Sequence, residues 1–295
     1  MKPNSEDCDK TSKNREFFKM KISIVTVCFN EEKNIEKTIN SVLRQSDNSY
    51  EYIICDGKSS DKTVEIAKLY KQAFDERGVT YTIKSEKDGG IYFGMNNGID
   101  LASGDYIIFM NAGDCFHGLD AVKNIVEALK GRDPLPDVIY GDCNFVQRGY
   151  YHRICGNHND LEKGMSICHQ SLLVSTDILK KEKFNTDYKV GADYDLVLKC
   201  YLQGKSFLYI DTIISDFYAG GISSVKIKYT VEESFKIRDN YSVNYNATQE
   251  MRQAAKSERF EKFKLKMPYF MWAVWCKLKK RPKALKLNNG VAKQV

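Results

Sequence analysis

KISIVTVCFNEEKNIEKTINSVLRQSDNSYEYIICD, residues 21–56, decides the fold. Its first nine and last seven residues are nearly continuous apolar runs, as in strands covered on both faces. Between them, EKNIEKTINSVLRQ (32–45) sets Ile35, Ile39, Val42 and Leu43 on one helical face. A strand, a helix and a strand of this kind form a parallel crossover unit. The pattern continues with SSDKTVEIAKLYKQAF (59–74), a predicted helix opened by a Ser N-cap and an early Asp, with Val64, Ala67, Tyr70 and Phe74 on its stripe. TYTIKSE (80–86), DYIIFMN (105–111) and DVIYGDCNF (137–145) read as further strands. The expected fold class is α/β, a Rossmann-like, doubly wound, mostly parallel sheet with flanking helices.

Residues 146–225 read as a mixed second half, with a helix near 191–203 and a strand at 207–214. After about 226 the stretches look helical and lack a strand partner. The expected organisation is a polar extension over 1–20, an α/β domain over 21–225 and a helical tail over 226–295.

With 295 residues, 42% hydrophobic and 28% charged, the chain can bury a sizeable core and has the composition of a soluble globular protein. Its first twenty residues have no apolar signal core, and no run of about 18 apolar residues occurs. Nine cysteines without a CxxC read as free thiols in a reducing compartment, so a cytoplasmic location is expected. The net charge of +6 is local: residues 262–286 hold nine Lys/Arg and no acid, and without them the remainder stands at −3. An anionic partner is expected at the tail, and nucleic-acid binding is not.

In parallel α/β sheets, ligands bind beyond the carboxyl ends of the strands. The second strand ends in Asp56-Gly57-Lys58-Ser59-Ser60-Asp61. Asp56 is either a carboxylate that accepts from a base N–H or part of a turn that starts the next helix. The fourth strand ends in Asn111-Ala112-Gly113-Asp114. Its two small residues let a bulky group approach, and a divalent cation bridging a diphosphate needs only one or two protein carboxylates. In GADYDLVLKC (191–200), Asp193 and Asp195 are either helix N-terminal charges or a general base for a hydroxyl nucleophile. His152, Cys155, His158, Cys168 and His169 match no zinc-finger or ribbon spacing.

Over residues 21–225 these stretches together resemble the family 2 glycosyltransferases, inverting enzymes of the GT-A fold. SIVTVCFNEEKNIEKTINSVLRQ resembles the family's opening strand and helix. DGKSSDKT resembles its DGxSxDxT nucleotide loop and SGDYIIFMNAGD its metal-motif segment; CHQSLLVS, ADYDLVLK and GGISS follow in the family's order. The resemblance implies a nucleobase contact from Asp56, with Thr26, Phe29 and Glu31 lining the same pocket and Asp88 adding a donor contact. It puts Asp114 on the last acid of the metal motif, whose first two acids are replaced by Asn111, kept here as a donor contact, and Gly113. Mn²⁺ or Mg²⁺ is then expected on Asp114, the donor diphosphate and His169. Asp193 aligns with the catalytic base, with Asp195 in reserve, and Gly220, Gly221 and Ser223 form a flap or simply end the domain.

The implied function is transfer of a sugar from a nucleotide donor, UDP-linked by default, to a hydroxyl of a glycan or polyprenyl-linked acceptor in surface polysaccharide synthesis. A non-catalytic nucleotide-sugar-binding scaffold and a sugar nucleotidyltransferase are the alternatives; the latter wants a glycine-rich phosphate loop after the first strand, where NEEKN stands. MPYFMWAVWC (267–276) holds both tryptophans between basic clusters. It reads either as a peripheral dock on the cytoplasmic face of a membrane or as a helix packed on the catalytic domain.

Overall fold

The computed structural model describes residues 20–220, 226–278, 286–288 and 291–293. Four strands open the fold: β1 (Ile22–Cys28), β2 (Tyr50–Asp56), β3 (Tyr81–Ser85) and β4 (Tyr106–Phe109). They lie in the order β3-β2-β1-β4, and all are parallel. Every residue of β1, β2 and β4 is buried, which is what their unbroken apolar runs require.

Helices α1 (Ile35–Leu43), α2 (Thr63–Leu69), α3 (Lys71–Glu76) and α4 (Ile91–Leu101) connect them. On α1, Ile35, Ile39 and Val42 are fully buried against one sheet face. The helix predicted over 59–74 breaks at Tyr70 into α2 and α3. Ser60 does not cap it: its N–H donates to Asn30, and Asp61 accepts from the Thr63 amide at 3.0 Å instead. Helix α4 lies against the opposite face, close enough that a Cβ on Gly98 would stand 2.4 Å from Val25 and one on Gly94 2.6 Å from Val27. That close seating sets the α4 N-terminus, with Tyr92, at the carboxyl end of β1.

Beyond β4 the sheet becomes mixed. The order continues β4-β8-β6-β9-β5, through β8 (Leu172–Ser175), β6 (Val138–Gln147), β9 (Phe207–Tyr218) and β5 (Cys115–Phe116). Strand β8 runs antiparallel to both β4 and β6, while β6 and β9 are parallel. Strand β7 (Tyr150–Ile154) folds back on β6 as a hairpin. Helices α5 (Ala121–Leu129), α6 (Thr176–Glu182) and α7 (Ala192–Leu202) complete the layers, with α7 in the core cluster shared with α4 and α6.

Of the residues around the expected boundary near Ser224, 221–225 lie outside those described. Past them come α8 (Ile227–Asn240), α9 (Ala247–Lys266) and α10 (Tyr269–Leu278), and Lys286–Asn288 pairs with Val291–Lys293. Ile237 of α8 belongs to the same buried cluster as α7. Among the described residues no helix is long and apolar enough to cross a membrane.

Candidate functional site

A cleft of about 1560 Å³ opens at the carboxyl ends of the parallel strands. Phe29, Glu31, Gly57, Lys58 and Asp88 line one end of it, Asn111–Asp114 its floor, and His169, Gln170 and Asp193 the far wall.

Two loops are stitched together at the first end. Asn30 and Lys58 both take left-handed backbone (φ 55° and 64°), uncommon for residues with a side chain. The Asn30 amide donates to Ser59 Oγ at 2.8 Å, and the Ser60 amide donates to Asn30 Oδ1 at 2.9 Å. Asp56 is 2% exposed and holds this junction from within. Its Oδ2 accepts from the Ser59 amide (2.9 Å) and Ser85 Oγ (2.6 Å); its Oδ1 accepts from Ser59 Oγ and Cys28 Sγ. These four bonds fill the lone-pair positions of a carboxylate. Asp56, expected to contact the nucleobase, is turned into the loop in this structure, and its neighbours Gly57 and Lys58 face the cleft.

Thr26, expected in the same pocket, is also turned away from the cleft. Alternation along β1 turns Val25 and Val27 to the α4 face, and Ile24, Thr26 and Cys28 to the α1 face. Thr26 is fully buried there, donating to the Met110 carbonyl at 2.7 Å and bonded to the Tyr52 hydroxyl at 2.9 Å. Phe29, by contrast, is 61% exposed at the cleft rim. A Cβ on Gly57 would touch both the Phe29 ring and the Asp88 carboxylate at 3.4 Å, so glycine keeps that corner open. Glu31 lines the same end, its carboxylate accepting from Asn34 Nδ2 at 2.7 Å.

On the floor, Asp114 accepts from the Tyr218 amide (3.0 Å) and from Gln170 Nε2 (2.9 Å). Burial raises its pKa to about 6, against the opposing pull of those two bonds and of nearby Lys37. Among the described residues the buried side-chain oxygen of Asn111 has no hydrogen-bond partner. One carboxylate and one idle amide oxygen are hard ligands that fit a divalent cation whose other positions are taken by diphosphate and water. Among the described residues no group of three or more His, Cys, Asp and Glu is placed to hold a metal.

At the far wall, Asp193 stands in the first turn of α7. Its Oδ1 accepts from the Tyr92 hydroxyl at 3.0 Å, and its Oδ2 lies 3.5 Å from His169 Nδ1. His169 is partly buried, its ring stacked on Phe109, and desolvation lowers its pKa despite the facing carboxylate, which keeps the ring neutral at pH 7. The expected ligand His169 thus sits on Asp193, and it is the adjacent Gln170 that reaches Asp114. Asp195, one helical step away, turns from the cleft to the Tyr241 hydroxyl at 3.2 Å. Gly220 lines the cleft, whereas Gly221 and Ser223 lie outside the described residues. His158 bonds the Tyr140 hydroxyl (2.8 Å) and stacks on Phe207, as a packed histidine does.

Sequence reading passed over Lys37, Tyr92, Gln170 and Tyr218. Gln170 was within reach, since it directly follows His169 in CHQS, and Tyr92 follows the Gly89-Gly90 pair that opens α4.

The wall of the cleft beyond Asp193 comes from α8, through Thr230, Val231 and Ser234. Its Glu233 accepts from three consecutive amides, those of Lys189 (2.9 Å), Val190 (2.7 Å) and Gly191 (2.8 Å), which lead into α7. Farther along, Trp272 of α10 is fully buried beside Tyr150, and Arg148 Nη1 donates to the carbonyls of Lys264 (3.1 Å) and Met267 (2.7 Å). These contacts bind α9 and α10 to the β6–β7 hairpin. The other side of α10 leaves Phe270, Val274 and Leu278 exposed.

The family model "Glycosyl transferase family 2" matches residues 23–190. A "PGL/p-HBAD biosynthesis glycosyltransferase" of Mycobacterium bovis is 28% identical over 183 residues, 61% of this chain and 69% of the relative. The "Amylovoran biosynthesis glycosyltransferase AmsB" of Erwinia amylovora is 26% identical over 208 residues, 66% of this chain and 69% of the relative. Among solved structures, S. aureus TarS 1-349 in complex with UDP-GlcNAc superposes with a TM-score of 0.58 at 16% identity, covering 88% of this chain and 79% of that one. The mannosyltransferase PcManGT of Pyrobaculum calidifontis, in complex with GDP-Man and Mn²⁺, superposes at 0.59 and 15% identity, covering 87% and 79%. The fold shared with these structures is GT-A.

Proposed function

The chain belongs to glycosyl transferase family 2 and is a glycosyltransferase; from that premise we propose that it transfers sugar from a UDP-linked donor, with inversion, to a hydroxyl of a glycan or polyprenyl-linked acceptor in surface polysaccharide synthesis. The observation that carries this reading is one cleft with Asp193, held by Tyr92, on one wall and Asn111 and Asp114 on the floor. The relatives' names support a role in polysaccharide or glycolipid biosynthesis, and the UDP-GlcNAc and GDP-Man complexes of proteins with this fold support a nucleotide-sugar donor.

The cleft orders the step. Phe29, Glu31 and Asp88 line the end that receives the nucleotide, and the α8 wall receives the acceptor. Asp193 takes the proton of the acceptor hydroxyl while that oxygen attacks the anomeric carbon. The bond to the diphosphate breaks with its electron pair kept by the phosphate oxygen, and a single displacement inverts the configuration. The Tyr92 hydroxyl fixes one oxygen of Asp193, and neutral His169 shields the other from water. Asp114 and Asn111 would hold Mn²⁺ or Mg²⁺, and such a cation, when bound, neutralises charge on the departing diphosphate.

The same reading puts the protein on the cytoplasmic face of a membrane. Its contact there is the exposed row Phe270, Val274 and Leu278, and the preceding helix ends in the exposed Lys262 and Lys266. An aromatic, apolar face with lysines at its margin suits an interface with anionic lipid. It would bring the cleft to a lipid-linked acceptor.

The deciding experiment incubates the full chain with UDP-, GDP-, dTDP- and CDP-sugars and polyprenyl-linked or glycan acceptors, each with Mn²⁺ and with EDTA. Transfer from a UDP-sugar, with inverted anomeric configuration by NMR, is expected. Binding of a nucleotide sugar without turnover would move the scaffold alternative to the front.

A further inference from the structure

We propose that Lys37 is a catalytic residue of this site, its ammonium meeting the donor's diphosphate and stabilising the departing nucleoside diphosphate. The inference rests on the transfer reading above.

Lys37 lies in the first turn of α1, and its side chain enters the cleft wall beside Asp114. It is half-buried, and its Nζ stands 2.9 Å from the centroid of the Tyr218 ring. Among the described residues the ammonium makes no hydrogen bond and no ion pair. The acids that act on it through space are already engaged. Asp216 accepts from Asn144 Nδ2 at 2.8 Å and is bonded to His117 Nδ1 at 2.9 Å; Asp114 holds the Tyr218 amide and Gln170. A half-buried cation with three idle N–H donors is costly unless something anionic arrives. Burial lowers the Lys37 pKa, and the neighbouring acids oppose that shift.

The other cleft lysines differ. Lys58, Lys87 and Lys189 are exposed, and Lys163 is paired with Asp160. Lys37 alone is fixed in place, with the Tyr218 ring under its charge and the Tyr218 amide on Asp114. Asn111 and Gly113 add no charge to the floor, and of the two carboxylates that act on Lys37, Asp216 is engaged by Asn144 and His117, which leaves Asp114 as the acid on the floor beside the ammonium. A donor fixed before the reaction and aimed at developing charge is the arrangement that lowers a barrier. No proton moves in this role: the electron pair of the broken bond stays on the phosphate oxygen, whose charge Lys37 meets.

The test uses K37M and K37R in the full chain. Two measurements are made: steady-state transfer, and thermal protection by UDP and by inorganic diphosphate in EDTA. K37M is expected to lose at least about 100-fold in kcat, the range seen when one such donor is removed. It should also lose diphosphate protection, with its ligand-free Tm unchanged. K37R should recover most of both. A kcat within threefold of wild type, or undiminished diphosphate protection in K37M, overturns the proposal. Wild-type protein that gains no protection from diphosphate overturns it equally. Diphosphate protection that depends on Lys37, without sugar transfer to any acceptor, would instead sink the transfer reading and leave the anion contact standing.

Discussion

Asp114→Asn should make the ligand-free protein more stable while abolishing its activity. The wild-type carboxylate is 7% exposed, and its pKa stands at about 6 against an ordinary 3.8. A shift of some two units corresponds to about 3 kcal/mol. Its sign follows from linkage: between those two values the native state binds the proton more tightly than the unfolded chain. Stability therefore falls as pH rises through that window, and the full cost is present above about pH 6. An amide carries no such cost. It must, however, share Gln170 with Cys168, whose thiol now donates to Gln170 Oε1 at 3.3 Å, so Gln170 has to turn over. Allowing for that, the net gain is about 1–3 kcal/mol at pH 7.5, or about 2–6 °C in Tm for a chain of this size. The assay is thermal unfolding in EDTA without nucleotide at pH 4.5 and 7.5, beside transfer activity. The gain should appear at pH 7.5 and fade at pH 4.5. A variant less stable than wild type at pH 7.5, or a gain equal at both pH values, would refute the account of Asp114 as a buried charge kept for its ligand.

Asp193→Asn should lower kcat by about 10²–10⁴ and leave UDP protection intact, whereas Asp195→Asn, which faces Tyr241, should retain activity within tenfold; comparable losses in both would break the assignment of the base. Trp272→Ala removes a fully buried ring and should cost about 3–5 kcal/mol locally, read as early exchange of the α9 and α10 amides ahead of β1. Replacing Phe270, Val274 and Leu278 together with Gln should leave transfer to a soluble acceptor unchanged and abolish flotation with anionic vesicles; undiminished flotation would exclude this face as the dock.

The parallel half of the fold was legible because β1, β2 and β4 are covered on both faces and announce it in unbroken apolar runs. Strand β8 was not: Leu172–Ser175 is four residues long, and its place between β4 and β6 depends on partners far away in the chain. The same divide runs through the site. Asp88, Asp114 and Asp193 were readable because strand ends and a helix start deliver them to one rim. For Thr26 and Asp56 the signal was alternation, which puts both on one face with Tyr52 and Ile54, toward α1 and away from the cleft. Lys37 was invisible for a different reason. A lysine in the first turn of a helix reads as solvated until Tyr218, some 180 residues later, is folded beneath it.

Glu233 has a consequence for how the two substrates are counted. The helix that lines the cleft beyond Asp193 also grips the three amides leading into the helix of Asp193. Push that wall and Asp193 moves with it. An occupied acceptor end should therefore slow hydrogen exchange at residues 189–191, and an empty one should leave the base less firmly set, sparing the donor from wasteful attack by water. A chain cut at residue 225 would lose the tail and this link to Asp193 together.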